Sequence, residues 1–214
     1  MKKVRVFWDL DLTLLDTTAL LRPVLELLAG TVGCSPEDVR RAIDKLDSGG
    51  FTWLKLLEKI ELPANRVEDA LRFCEEQYAR AEQYLYPGAR EAIAELDPIA
   101  EQILVTFGDP TFQRRKWNAI PGLHPFFRAT HFVDGVTLGK GVLIASYDAT
   151  GMPSFFVDDS GRWHDDCARH APHVTRVLMR FAPRENAEDD ALGNKKIVHA
   201  HDQVVSLIRR HLDG

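Results

Sequence analysis

The residues best suited to chemistry stand in four short segments. Asp9 and Asp11 lie two positions apart, Thr106 closes an apolar run, Lys140 sits between Gly139 and Gly141, and Asp158 and Asp159 are adjacent. Carboxylates two positions apart in an extended chain point to the same side, which suits shared nucleophilic and proton-transfer work. A hydroxyl and an ammonium group bind anionic oxygens, and further carboxylates bind a hard cation. Each segment also has a plainer reading. Paired aspartates close turns or cap helices, a threonine favours strands, a lysine between glycines is a surface charge, and adjacent aspartates are solvated. Only a common location would join them into a site.

The elements around them supply that location. Residues 4–8 form a short β-rich apolar run, the pattern of a strand buried on both faces, and it stops at Asp9. Further strands are expected at 103–107, 129–133, 155–157 and 174–181, alternating with helices at 89–96, 111–120 and 203–211. Such alternation predicts an α/β fold, a Rossmann-like parallel sheet of about five strands with helices on both faces. Ligands of such sheets bind outside the carboxyl ends of the strands. That edge receives Asp9, Asp11, Thr106, Asp158 and Asp159, with Lys140 on a loop or helix start beside it.

Residues 17–84 read as helical throughout, with no strand. Leu20, Leu21, Val24, Leu25 and Leu28 recur at helical spacing, with Gly30 as the expected stop. Ser35-Pro36-Glu37-Asp38 is a helix start, Gly49-Gly50 a break, a further helix begins near Phe51, and a last long helix spans 63–84. The division predicted is an α/β core of residues 1–16 and 86–214 with a helical insert at 17–85. Residues 184–196 read as a polar loop.

Bulk properties narrow the function. The chain has 214 residues, 45% hydrophobic and 28% charged, enough for a sizeable core. A formal charge of -5 weighs against nucleic acid or an anionic membrane as partner. It permits a phosphorylated substrate, because a bound cation reverses the local sign. Cys34, Cys74 and Cys167 have neither disulfide nor zinc spacing and are expected as free, mostly buried thiols. The N-terminal apolar run ends too soon for a signal peptide, and no run approaches transmembrane length, so a cytoplasmic location is expected.

In their order, the four segments resemble the motifs of the haloacid dehalogenase superfamily, phosphatase branch, across essentially the whole chain. Phe7-Trp8-Asp9-Leu10-Asp11-Leu12-Thr13 matches the first motif, a hydrophobic run followed by D-x-D-x-T. Leu104-Val105-Thr106 matches the second, Lys140 the third, and Phe156-Val157-Asp158-Asp159 the acidic fourth. Two positions depart from the pattern: Leu12 replaces a frequent Gly, and Gly141 follows Lys140 where Pro is frequent. Lys116 competes with Lys140 for the third motif, but its amphipathic helical setting makes it the poorer match.

The resemblance implies a Mg²⁺-dependent phosphatase acting through an aspartyl-phosphate on Asp9, with Asp11 as acid/base. It implies metal ligation by the Asp9 side chain, the Asp11 carbonyl and Asp159, helped by Asp158, with Thr106 and Lys140 holding the phosphoryl oxygens. Residues 17–85 would be the helical cap, which favours a small phosphate ester as substrate. Dehalogenating members generally lack the second Asp, so Asp11 favours phosphoryl chemistry. A dehalogenase-like hydrolase, a phosphomutase and a non-catalytic regulatory or binding domain are the alternatives, and no oligomeric state is assigned.

Other residues carry two readings each. His164, Asp165 and Asp166 are either a helix start or a source of an outer carboxylate. His199 and His201 alternate as a metal pair would but lack a third ligand. Asp109 is expected to cap the helix after Pro110. Phe51, Trp53 and Leu54 pack either the insert's own core or a substrate.

Overall fold

The computed structural model describes residues 2–46, 52–134, 138–148, 151–181 and 195–214. The first strand, β1 (Val4–Trp8), is buried along its whole length, as its unbroken apolar run requires. It pairs in parallel with β2 (Ala100–Phe107) on one side and β4 (Ser154–Asp158) on the other. β3 (Phe127–Val133), β5 (Thr175–Met179) and β6 (Lys195–Val198) complete a six-stranded parallel sheet in the order β3-β2-β1-β4-β5-β6. The switch in order beside β1 puts the ends of β1, β2 and β4 side by side.

The expected α/β class is the one found, with one strand more than the five anticipated. β6 begins at Lys195, where the sequence reads as the end of a polar loop, and its first three residues are not buried. An edge strand of this kind carries no apolar run to announce it. The rest of that loop lies outside the described residues. β2 begins three residues earlier than expected because its opening is polar. Gln102 is buried there, accepting from Trp8 Nε1 at 3.2 Å and donating to the Ile93 carbonyl at 2.9 Å.

Residues 17–84 hold only helical elements among those described. They are α1 (Thr17–Val32), α2 (Pro36–Asp44), α3 (Trp53–Lys59) and α4 (Val67–Tyr78). α1 continues past Gly30 and ends at Gly33, whose φ of 74° allows the left-handed turn that closes the helix. α2 starts with a reciprocal cap between Ser35 and Asp38. The single long helix expected over 63–84 is instead α4 flanked by short 3₁₀ turns. The expected Gly49-Gly50 break and Phe51 lie outside the described residues.

The remaining helices flank the sheet: α5 (Ala89–Leu96), α6 (Pro110–Asn118), α7 (Lys140–Ala145), α8 (Gly161–His170) and α9 (His201–Asp213). Asp109 caps α6 by accepting from Phe112 N at 2.9 Å, as expected. Cys74 and Cys167 are buried and Cys34 is exposed, all three as free thiols. Among the described residues no helix is long and apolar enough to cross a membrane.

Candidate active site

Asp9 directly follows β1, Thr106 is the penultimate residue of β2, and Asp158 and Asp159 end β4 and follow it. Lys140 is the first residue of α7, and its side chain is buried. Its ammonium bridges Asp9 Oδ1 at 2.5 Å and Asp158 Oδ2 at 2.6 Å. Burial alone would lower the Lys140 pKa, but Asp158 and Asp9 outweigh it and hold the amine protonated.

α7 is fixed by its neighbour. The Gly141 amide donates to Asp166 Oδ2 at 2.7 Å, and a Cβ on Gly141 would stand 2.4 Å from the Asp166 carbonyl oxygen. A proline here could not donate, and any side chain would collide with α8. The departure from the frequent Lys-Pro pair is therefore part of how this chain seats Lys140. Asp166 acts on the backbone of α7 and stands outside the carboxylate cluster formed by Asp9, Asp158 and Asp159.

Asp11 occupies a separate pocket of donors. Lys116 Nζ lies 2.6 Å from its Oδ1 and 2.5 Å from its Oδ2. The Thr17 hydroxyl reaches Oδ1 at 2.5 Å and the Gln113 amide reaches Oδ2 at 3.0 Å. Burial would raise the Asp11 pKa, yet Lys116 and these hydrogen bonds prevail and lower it. Burial and the Asp11 charge together keep the Tyr78 phenol protonated. Lys116 is thus not a rival of Lys140: each lysine serves a different carboxylate. Gln113 and Lys116 stand three positions apart on one face of α6, and both are buried. That spacing was legible, but polar residues on a helix face normally point to solvent.

The turn that follows the two acids is tight. Leu12, Thr13, Leu14 and Leu15 fold back on themselves, with the Leu10 carbonyl accepting from Leu14 N and Leu15 N at 3.0 and 2.9 Å. Leu12 adopts φ 58°, which explains why glycine is frequent at this place. The Thr13 hydroxyl stands 3.4 Å from Asp9 Oδ2, and its carbonyl accepts from His201 Nε2 at 2.9 Å. His199 Nδ1 contacts the Arg180 carbonyl at 2.7 Å. Both histidines therefore tie backbone together, and neither joins the carboxylate cluster.

His164, buried in α8, bonds the Asp158 carbonyl at 3.0 Å. Arg180 Nη1 donates to the Asp159 carbonyl and, at 3.2 Å, to that of Met179. Trp53 packs against Tyr78 and Phe112 in an aromatic cluster, and Leu54 is about half exposed.

One carboxylate oxygen from each of Asp9, Asp158 and Asp159 lies within 4.8 Å of the others, and all three residues are buried. Burial, followed by the neighbouring acids, raises the Asp9 pKa against the pull of Lys140. The carboxylates of Asp9, Asp11, Asp158 and Asp159 stand with the ammonium groups of Lys116 and Lys140, an excess of two acids over bases among these six side chains. An all-oxygen donor set with that charge fits a small divalent cation such as Mg²⁺.

No protein-family model matches the chain, and no curated protein does. Solved structures do. A Bacillus subtilis chain assigned as a haloacid dehalogenase hydrolase, bound to magnesium, matches with a TM-score of 0.68 at 15% identity, covering 98% of this chain and 100% of that one. A haloacid dehalogenase phosphatase from Thermococcus onnurineus matches with 0.68 at 18% identity, covering 97% and 98%. A Thermotoga maritima chain assigned as a β-phosphoglucomutase matches with 0.68 at 17% identity, covering 97% and 99%. At these identities the likeness establishes a shared fold: the chain has the haloacid dehalogenase-like α/β fold.

Proposed function

We propose that this chain, built on the haloacid dehalogenase-like fold, is a Mg²⁺-dependent hydrolase of small phosphomonoesters. The observation that carries the reading is the contact of Asp9 with buried Lys140 inside a three-aspartate cluster, with Asp11 held separately two residues on.

An Asp9 carboxylate oxygen attacks phosphorus in line, and the bond from phosphorus to the ester oxygen breaks. The departing oxygen takes a proton from Asp11, leaving an alcohol and an aspartyl-phosphate. Water then attacks phosphorus, its proton passes to Asp11, inorganic phosphate leaves, and Asp9 is restored. Lys116 keeps Asp11 ionised in the free protein, the form that accepts the proton in the second step. A phosphoryl dianion entering beside Asp11 favours its protonated form for the first. Asp9, Asp159 and the Asp11 carbonyl would hold Mg²⁺, which supplies positive charge against the repulsion between carboxylate and phosphate. Lys140 and Thr106 would hold phosphoryl oxygens, with Asp158 orienting Lys140.

Residues 17–85 would act as a cap that excludes water and positions the ester. Free cysteines suit a reducing compartment, and we place the activity in the cytoplasm on a small-molecule substrate. Asp11 and the carboxylate cluster disfavour carbon–halogen chemistry, which has no use for either. The deciding measurement is phosphate release from an aryl phosphate, with Mg²⁺ or excess EDTA, on wild type and Asp9→Asn. Turnover that needs metal and vanishes in Asp9→Asn supports the reading. Metal-independent turnover, or turnover surviving in Asp9→Asn, would overturn it.

A further inference from the structure

Beside the catalytic edge lies a cavity of about 510 Å³ whose wall includes Leu12, directly after Asp11, and Asp159 from the carboxylate cluster. Its remaining wall carries two guanidinium groups from opposite parts of the chain. Arg40 comes from α2 in the helical segment, and Arg180 follows β5 in the sheet. Arg180 is buried and fixed at the wall by its bonds to the Asp159 and Met179 carbonyls. Arg40 is presented by a helix with a reciprocal N-terminal cap and a fully buried Val39 beside it. The acidic neighbour of Arg40 is Asp44, at 3.5 Å and 63% exposed, a weak, solvent-screened pairing that an incoming anion can displace. The stacked rings of Tyr86 and Phe181, 3.8 Å apart, close the same wall.

The volume falls in the range of small-molecule pockets. Its charge is set by the two arginines, because Asp159 faces the cluster that calls for a cation. A second cavity of about 380 Å³ at Trp53, Leu71 and Phe112 includes none of the catalytic-edge acids, and its arginine, Arg115, is already paired with Glu75.

We infer that this cavity binds a second anionic group on the alcohol portion of the ester, so that the substrate class is a phosphomonoester bearing a carboxylate or a further phosphate. The inference rests on the phosphatase reading for the placement of the reacting phosphoryl group at Asp9. Guanidinium groups recognise both anions by charge-assisted hydrogen bonds, which a neutral hydroxyl replaces poorly. Arg40 and Arg180 reach the cavity from different parts of the chain, so an anion bound to both would also draw the helical segment toward the sheet.

The test is equilibrium binding in Mg²⁺ to Asp9→Asn protein, which reads affinity without turnover. Three esters built on two carbons serve as probes: the phosphate esters of 2-hydroxyacetate and of ethylene glycol, and ethylene glycol bisphosphate. Calorimetry should show one or both dianionic-tailed or carboxylated probes binding about tenfold or more tighter than the neutral one. Which of the two binds tighter identifies carboxylate or phosphate as the preferred group. In Asp9→Asn/Arg40→Ala that ratio should fall to about one, with partial recovery in Asp9→Asn/Arg40→Lys. Equal affinity for all three probes, no binding of any, or a preference that survives Arg40→Ala would overturn the inference. Failure of the phosphatase reading has a different signature: the preference persists while wild-type protein releases no phosphate from any probe.

Discussion

The Lys116 ammonium meets both oxygens of Asp11, at 2.6 and 2.5 Å, across 105 residues of sequence. The proposed acid/base therefore has its own cation, distinct from the Lys140 that serves Asp9 and Asp158. In Lys116→Met, Asp11 keeps Thr17 and Gln113 but loses its charge partner and orientation. Hydrolysis of an alkyl phosphate, whose leaving oxygen needs a proton, should fall about 10²-fold in kcat. Hydrolysis of a dinitrophenyl phosphate, whose leaving group needs none, should fall far less, and Lys116→Arg should restore part of the alkyl rate. Equal losses on both substrates would mean that Lys116 only supports the fold.

Asp158 and Asp159 are adjacent but differently engaged. Asp158 accepts from Lys140 and from Ser160 N, at 2.6 and 2.8 Å, which commits its oxygens to orienting other groups. Asp159→Asn should weaken the apparent Mg²⁺ affinity about 10–100-fold, with activity recovering at high metal. Asp158→Asn should lower kcat with a smaller change in metal affinity, because it loosens Lys140. Mg²⁺ titration of both variants separates the two roles; the reverse pattern would exchange them.

His164 is buried and neutral, its pKa lowered by burial to about 4 from an ordinary 6.5. Between those values the unfolded chain binds a proton that the folded chain refuses, so stability falls as pH drops through this window. The full effect is about 3 kcal/mol. Burial lowers the His201 pKa as well and adds in the same direction. Urea unfolding from pH 7 to pH 4 should show this decline, and in His164→Leu the slope should flatten, even though the Asp158 carbonyl loses its partner.

Two glycines should respond oppositely to alanine. At Gly141 a Cβ would meet the Asp166 carbonyl oxygen at 2.4 Å and Cys167 N at 2.9 Å, both backbone atoms. Gly141→Ala should cost about 1–3 kcal/mol and reduce kcat by shifting Lys140. Gly30 is exposed inside α1, and a methyl group added there would meet nothing within 4 Å, so Gly30→Ala should gain about 0.5–1 kcal/mol. Thermal unfolding of the two variants checks both signs.

Much of the architecture was legible in the sequence because it depends on local chemistry. The run from Val4 to Trp8 is apolar on both faces, so it had to be a covered strand ending at Asp9. Ser35 through Asp38 carries a complete helix start, and Asp109-Pro110 another. Strand alternation then implied a parallel sheet, and a parallel sheet implied that Asp9, Thr106, Asp158 and Lys140 would share one edge. β6 escaped notice because an edge strand that opens on two unburied lysines needs no apolar pattern, and the run of α1 past Gly30 because one glycine costs less than the packing of a long helix.

Tertiary structure alone decided which partner each charged group received. The sequence set Lys116 against Lys140 for one role, with Lys140 the better match; only the placement of α6 and α7 gave one to Asp11 and the other to Asp9 and Asp158. Likewise, His199 and His201 alternate in sequence as ligands would, yet the start of α9 between them turns each toward a backbone carbonyl. Periodicity and capping act over a few residues, so a sequence displays them directly. Ion pairing inside a folded chain depends on distances of a few ångströms between segments far apart in sequence, and those distances exist only once the core has packed.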